Sequence, residues 1–129
     1  HNNRSAQFRL PQNRYCIENR AADMTMNVYF ALSMTISAAI EGIENKIHPG
    51  DPTDQDLYNM SESEFKKLGI KRLPRNLLSA IEALKNDKLS DEVLGLVMKK
   101  SLLAYKNDEW ERYHQAVTDW EVKEYLRLY

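Results

Sequence analysis

At 129 residues and 43% hydrophobic, the chain is one domain's worth of polypeptide, near the size at which a single core is the limit. A formal net charge of −1 and a pI near 6.4 exclude a global field that would draw it to nucleic acid or an anionic membrane, so any polyanion site must be local. The single cysteine, Cys16, excludes an internal disulfide and suits a reducing cytoplasm, while the longest apolar run, Val28 to Ile40, is too short to span a bilayer. No charged-then-apolar leader opens the chain. The expectations are therefore a cytoplasmic protein with neither a membrane nor a nucleic acid as partner.

Charge is uneven along the chain. Residues 1–22 carry Arg4, Arg9, Arg14 and Arg20 against Glu18 alone, a local +3 set against −4 for the remainder. The same stretch has the two-residue alternation of strands: Ala6, Phe8 and Leu10 share one side, with Gln7 and Arg9 on the other. Pro11 ends that strand, and "PQN" can turn the chain into a second one. There Tyr15, Ile17 and Asn19 oppose Cys16, Glu18 and Arg20, which puts Glu18 and Arg20 on one charged face. An isolated hairpin is marginal in water, so these strands need a partner sheet. Two readings of the face are open. It is either a solvated strand surface or a site for an anion and a hard cation, because guanidinium grips anionic oxygens in a bidentate fork and carboxylate coordinates a divalent ion.

From residue 24 the pattern becomes helical. The stretch from Val28 to Ile40 is apolar nearly all round, and its small residues Ala31, Ser33, Ser37, Ala38 and Ala39 permit close packing; it predicts a central buried helix ending at Pro49–Gly50. "PGDPTDQD" reads as loop. Ser61 and Glu64 stand in the capping-box relation, with Gly69 as the stop of a short helix. Asn76 caps a helix with Leu77, Leu78, Ile81 and Leu84 in one stripe, and Ser90 caps the next. Gly95 divides a short helical turn from a longer helix running from about Leu96 into the 110–117 region. Thr118 and Glu121 repeat the capping-box spacing at the start of an amphipathic tail.

In order along the chain, "NRSAQFRLP", "IENR", a D-x-x-x-N-x-Y segment leading into a small-residue helix, "GIENKIHPG", "DLY", "RLPRNLLSAIEAL" and "EWERYHQAVTDWEVKEYLRLY" resemble the C-terminal portion of the catalytic domain of bacterial-type glutamine synthetase. The resemblance covers essentially the whole chain. It implies a mainly α region of an α+β catalytic domain, with active-site strands in residues 1–22 as a short N-terminal β-hairpin and a helical region in 23–129. On that reading the chain is cut just before its final active-site strands, and the hairpin has lost its sheet neighbours. The implied activity is an ATP-dependent ligation of glutamate and ammonia to glutamine through a γ-glutamyl phosphate, supported by Mg2+ or Mn2+. The fragment alone is expected to be inactive.

Residue by residue, the resemblance implies that Arg4 contacts phosphate and the reacting glutamate group, and that Arg9 contacts the ATP phosphates. Glu18 would be a metal ligand, and Arg20 would sit against glutamate and the transferred phosphoryl group. Cys16 stands where many relatives carry a basic residue, and Met26 and Val28 stand where prolines flank the intervening Asn. Nucleotide contacts beyond Arg4 and Arg9 therefore stay open, with Arg14 as a possible substitute. Cys16 reads as a structural filler, and His48 and His114 lack metal-ligand spacing. Tyr58 in "DLY" has two readings, an adenylylated regulatory tyrosine as in some family members or an ordinary loop anchor. The family also implies stacked six-membered rings, a homo-oligomer in which residues 118–129 reach the opposite ring. Two rival functions remain: a related ligase joining glutamate to an amine or polyamine, and a non-catalytic helical interaction module docking through Trp110, Tyr113, Trp120, Tyr125 and Tyr129.

Overall fold

Short polar side chains at the boundaries divide this chain into helices. The computed structural model describes residues 3–128, in which two short strands precede five helices. Tyr129, the last of the expected aromatic anchors, lies outside them. The chain forms two compact units divided between Arg72 and Leu73.

The first unit opens with β1 (Phe8–Arg9) and β2 (Glu18–Asn19), paired antiparallel with Phe8 opposite Asn19 and Arg9 opposite Glu18. One more bond, from Arg20 N to the Gln7 carbonyl at 2.8 Å, extends the ladder. The hairpin exists, but its strands are shorter than the alternation predicts and the connection covers residues 10–17 rather than "PQN". Pro11 has no N–H to give a ladder, and Cys16 N donates to the Arg14 carbonyl at 3.2 Å in a local turn. Tyr15 and Ile17 are consequently exposed loop residues.

Helix α1 (Val28–Glu44) starts at Asn27, whose side chain accepts from Tyr29 N and Phe30 N at 3.0 and 3.2 Å. It stops before the expected Pro49–Gly50. Lys46 turns left-handed at φ 52°, Ile47 N donates to the Gly42 carbonyl, and Lys46 N donates to that of Ile43, the two bonds of a Schellman ending. The expectation of a central buried helix fails: no residue of α1 is buried, and Tyr29, Leu32, Ile36 and Ile43 are all more than half exposed. Local pattern specifies the helix, whereas burial requires an opposing surface that the described residues do not supply.

Helix α2 (Glu62–Lys67) has the expected box, Ser61 with Glu64, and the expected stop at Gly69, φ 65°. Phe65 is buried beneath the Arg72 guanidinium, which lies 3.9 Å from the ring centroid and donates to the Met60 carbonyl at 3.2 Å.

In the second unit α3 (Leu77–Asn86), capped by Asn76, packs on α4 (Lys88–Gln115) around buried Ile81. The cap of α4 is Asp87, not Ser90. Asp87 Oδ2 accepts from Ser90 N at 2.7 Å, while the Ser90 hydroxyl is fully buried and donates to the Asp87 carbonyl at 2.8 Å. Gly95, at φ 70° and ψ 160°, breaks α4 into two helical stretches where the sequence predicts the division. Lys99 spans that break: its Nζ donates to the Asp87 carbonyl at 2.8 Å and to Asp91 Oδ1 at 2.6 Å. Helix α5 (Asp119–Tyr125) begins at the predicted Thr118–Glu121 box, and Trp120 meets Tyr125 edge-on at 5.9 Å.

Candidate functional site

Three arginine side chains and one carboxylate meet at the hairpin of the first unit, with the Arg4 backbone beside them. The register puts Arg9 directly across from Glu18, so the two side chains stand on the same face. Arg9 Nη1 donates to Glu18 Oε2 at 2.9 Å, with both side chains largely covered. Arg14 arrives from the connecting loop and donates through Nη2 to the other oxygen, Oε1. Arg20, two residues beyond Glu18, brings Nη1 to 3.9 Å from Oε2, as strand alternation predicts. Its Nε donates to the Arg4 carbonyl at 3.1 Å, which ties the first arginine's backbone to the last arginine's side chain. The Arg4 residue itself is exposed.

Charge is unbalanced in this cluster. The hydrogen bond from Arg9, followed by that from Arg14, holds the Glu18 carboxyl below the usual carboxylate range against a smaller desolvation effect in the opposite direction. Glu18 in turn raises Arg14 above its ordinary value. Three guanidiniums thus gather on one carboxylate, leaving a surplus of positive charge with geometry suited to phosphate or carboxylate oxygens. For a divalent cation the fit is partial. Among the described residues no three His, Cys, Asp or Glu side chains gather into a metal site, so Glu18 can supply one ligand of a set otherwise drawn from elsewhere.

Tyr58 is exposed in the loop before α2, its N–H donating to Asp56 Oδ1 at 3.0 Å. Cys16 is an exposed thiol beside Arg14. His114 lies against Trp110 in the second unit, with ring centroids 3.7 Å apart and the ring planes tilted by 37°. Sequence reasoning passed over Asn3 and Ser5. Asn3 Nδ2 donates to the Thr53 and Gln55 carbonyls at 2.7 and 2.9 Å, and the Ser5 hydroxyl accepts from Leu57 N at 3.0 Å. Their only local signal is the Asn-x-Ser spacing of an Asx turn, formed here by Ser5 N and Asn3 Oδ1 at 2.9 Å.

The family described as glutamine synthetase, catalytic domain, matches residues 1–125. The chain belongs to this family. The glutamine synthetase of Methanococcus maripaludis is 36% identical over 98% of the chain, and that of Methanocaldococcus jannaschii 38% identical over 96%. A glutamate–methylamine ligase of Methyloversatilis universalis is 38% identical over 99% of the chain. In structure the chain is similar to apo GmaS without ligand, with a TM-score of 0.79 at 31% identity over 97% of the chain. It spans 28–29% of the length of these relatives. The glutamine synthetase family therefore accounts for a mainly helical region behind a two-stranded hairpin, and these curated relatives are ligases. Among the described residues no helix is long and apolar enough to cross a membrane.

Proposed function

We propose that this chain is the part of a cytoplasmic, ATP-dependent ligase that handles the phosphoryl group while glutamate and ammonia are joined to glutamine. The convergence of Arg9, Arg14 and Arg20 on Glu18, with Arg20 also bonded to the Arg4 carbonyl, carries this reading. A glutamate side chain is a poor acyl donor until its oxygen is phosphorylated. Transfer from ATP spreads negative charge over three phosphoryl oxygens, and fixed guanidiniums stabilise that charge without reorganising.

In this proposal Arg9 orients the ATP phosphates and Arg4 contacts phosphate and the reacting carboxylate. Arg20 holds glutamate and neutralises the phosphoryl group as it moves, leaving ammonia to attack the γ-glutamyl phosphate. Glu18 has a double role. It keeps the arginines in register, and it offers one oxygen ligand to Mg2+ or Mn2+, whose contribution when bound is to neutralise phosphate charge. One carboxylate cannot hold such an ion alone, so the 129-residue chain by itself is inactive in this proposal. The intact enzyme is a homo-oligomer of stacked rings.

A second reading differs only in the acceptor. The 38% identity to a glutamate–methylamine ligase favours methylamine as an alternative to ammonia. Assaying the intact ligase with ATP, glutamate and each amine in turn tests both: glutamine formation supports the first reading, γ-glutamylmethylamide the second. An intact protein that forms neither product would refute the ligase assignment.

A further inference from the structure

We propose that Asn3 and Ser5 are positioning residues that couple the loop at residues 53–58 to Arg4 and Arg20 through one hydrogen-bonded ring; the proposal rests on the reading of those arginines given above. The Ser5 hydroxyl accepts from Leu57 N at 3.0 Å and donates to Asn3 Oδ1 at 2.5 Å. The same amide uses its Nδ2 on the Thr53 and Gln55 carbonyls. Asn3, Ser5, Thr53 and Leu57 are all half-buried, so the bonds among them are partly shielded from water, while the bond to Gln55 is exposed. Arg4 lies between the two clasping residues, and its carbonyl fixes Arg20 Nε. Loop 53–57 therefore templates the Arg4 backbone, and the Arg4 backbone orients the Arg20 guanidinium.

The residue types are specific to this job. Asn3 needs a group that accepts on one side and donates twice on the other, which Asp cannot do, and Ser5 needs a hydroxyl that donates and accepts at once, which Thr retains and Ala loses. Immediately after Leu57 stands Tyr58, with an exposed ring and a backbone held by Asp56. Whatever grips or modifies that ring pulls on the same ring of bonds. Coupling of this kind is reciprocal: ligands that fix Arg4 and Arg20 must also steady the Leu57 amide.

Hydrogen exchange and steady-state kinetics on the intact ligase test this. In the unmodified enzyme, ATP with glutamate is expected to slow exchange at the Leu57 amide severalfold. Ser5→Ala is expected to abolish that protection and lower kcat about tenfold, in keeping with one or two partly buried hydrogen bonds, with the KM for ATP little changed. Ser5→Thr restores both readouts, while Asn3→Asp, which faces two carbonyls with an acceptor, does not. Absence of ligand-dependent protection at Leu57 in the unmodified enzyme overturns the coupling with no variant needed. So does a Ser5→Ala enzyme with normal kcat and normal protection while Arg20→Ala is dead. Normal turnover of Arg20→Ala would instead overturn the underlying reading of the arginines, and the coupling with it.

Discussion

Lys99→Met should destabilise the second unit by about 1–2 kcal/mol, a figure set by the polar contacts of one ammonium group. Lys99 is only 4% exposed, and its Nζ holds the Asp87 carbonyl at 2.8 Å and Asp91 Oδ1 at 2.6 Å across the Gly95 break. A hydrogen bond to a charged donor contributes about 1.5–3 kcal/mol, but the Asp91 side chain is 57% exposed, which reduces that contact towards the ~1 kcal/mol of a surface pair. Relief from burying the ammonium offsets part of the loss, and the Asp87 carbonyl keeps its bond from the Ser90 hydroxyl. Methionine retains the apolar stem. Lys99→Ala also removes three buried methylenes at about 0.8 kcal/mol each, so its total should reach about 3–4 kcal/mol. Urea unfolding followed by circular dichroism measures both. A Lys99→Met protein as stable as the unmodified one would refute the clasp, and equal losses for Met and Ala would refute the division between head group and stem.

Three further outcomes follow from the proposed function. In the intact ligase Arg20→Ala should lower kcat by orders of magnitude and the KM for ATP only modestly, and Glu18→Ala should abolish turnover; stopped assays across ATP concentrations check both. Glu18 titrates below the ordinary carboxylate range because Arg9 and Arg14 bond its charged form, so its stabilising effect is complete above the unfolded pKa and is lost as pH falls through the depressed folded value. Carboxyl NMR should find that midpoint low and should see it rise in Arg9→Ala. On the proposal that the intact enzyme is a stack of two rings joined through this tail, deleting residues 118–129 should weaken ring–ring association while leaving the Glu18 and Arg20 geometry intact; sedimentation at several concentrations that finds an unchanged double ring would count against that docking role.

Features fixed by near neighbours were legible in the sequence. The boxes at Ser61–Glu64 and Thr118–Glu121, the cap at Asn76 and the left-handed Gly69 each depend on a few adjacent residues, and each formed as expected. Ser90 misled because the helix starts one turn earlier, at Asp87, whose carboxylate accepts from Ser90 N, so the serine stands inside the first turn with its hydroxyl buried. The apolar run in α1 specified a helix, but burial depends on what lies opposite, which no local pattern encodes. At the site, period-two alternation placed Glu18 and Arg20 together, and Arg9 joined them once pairing set the register. Arg14 reaches Glu18 from an irregular loop, and Asn3 and Ser5 bond partners about fifty residues away, so neither contact leaves a periodic trace.

The assignment of the hairpin to a γ-glutamyl ligase is tested most directly by following oxygen. Glutamate labelled with 18O in its side-chain carboxylate, incubated with the intact ligase, ATP and ammonia, should pass one labelled oxygen to the released phosphate, because a γ-glutamyl phosphate breaks at carbon when the amine attacks. Transfer should fall in step with turnover in Arg20→Ala. Product formed with unlabelled phosphate would contradict the acyl-phosphate route and, with it, the role proposed for the arginines around Glu18.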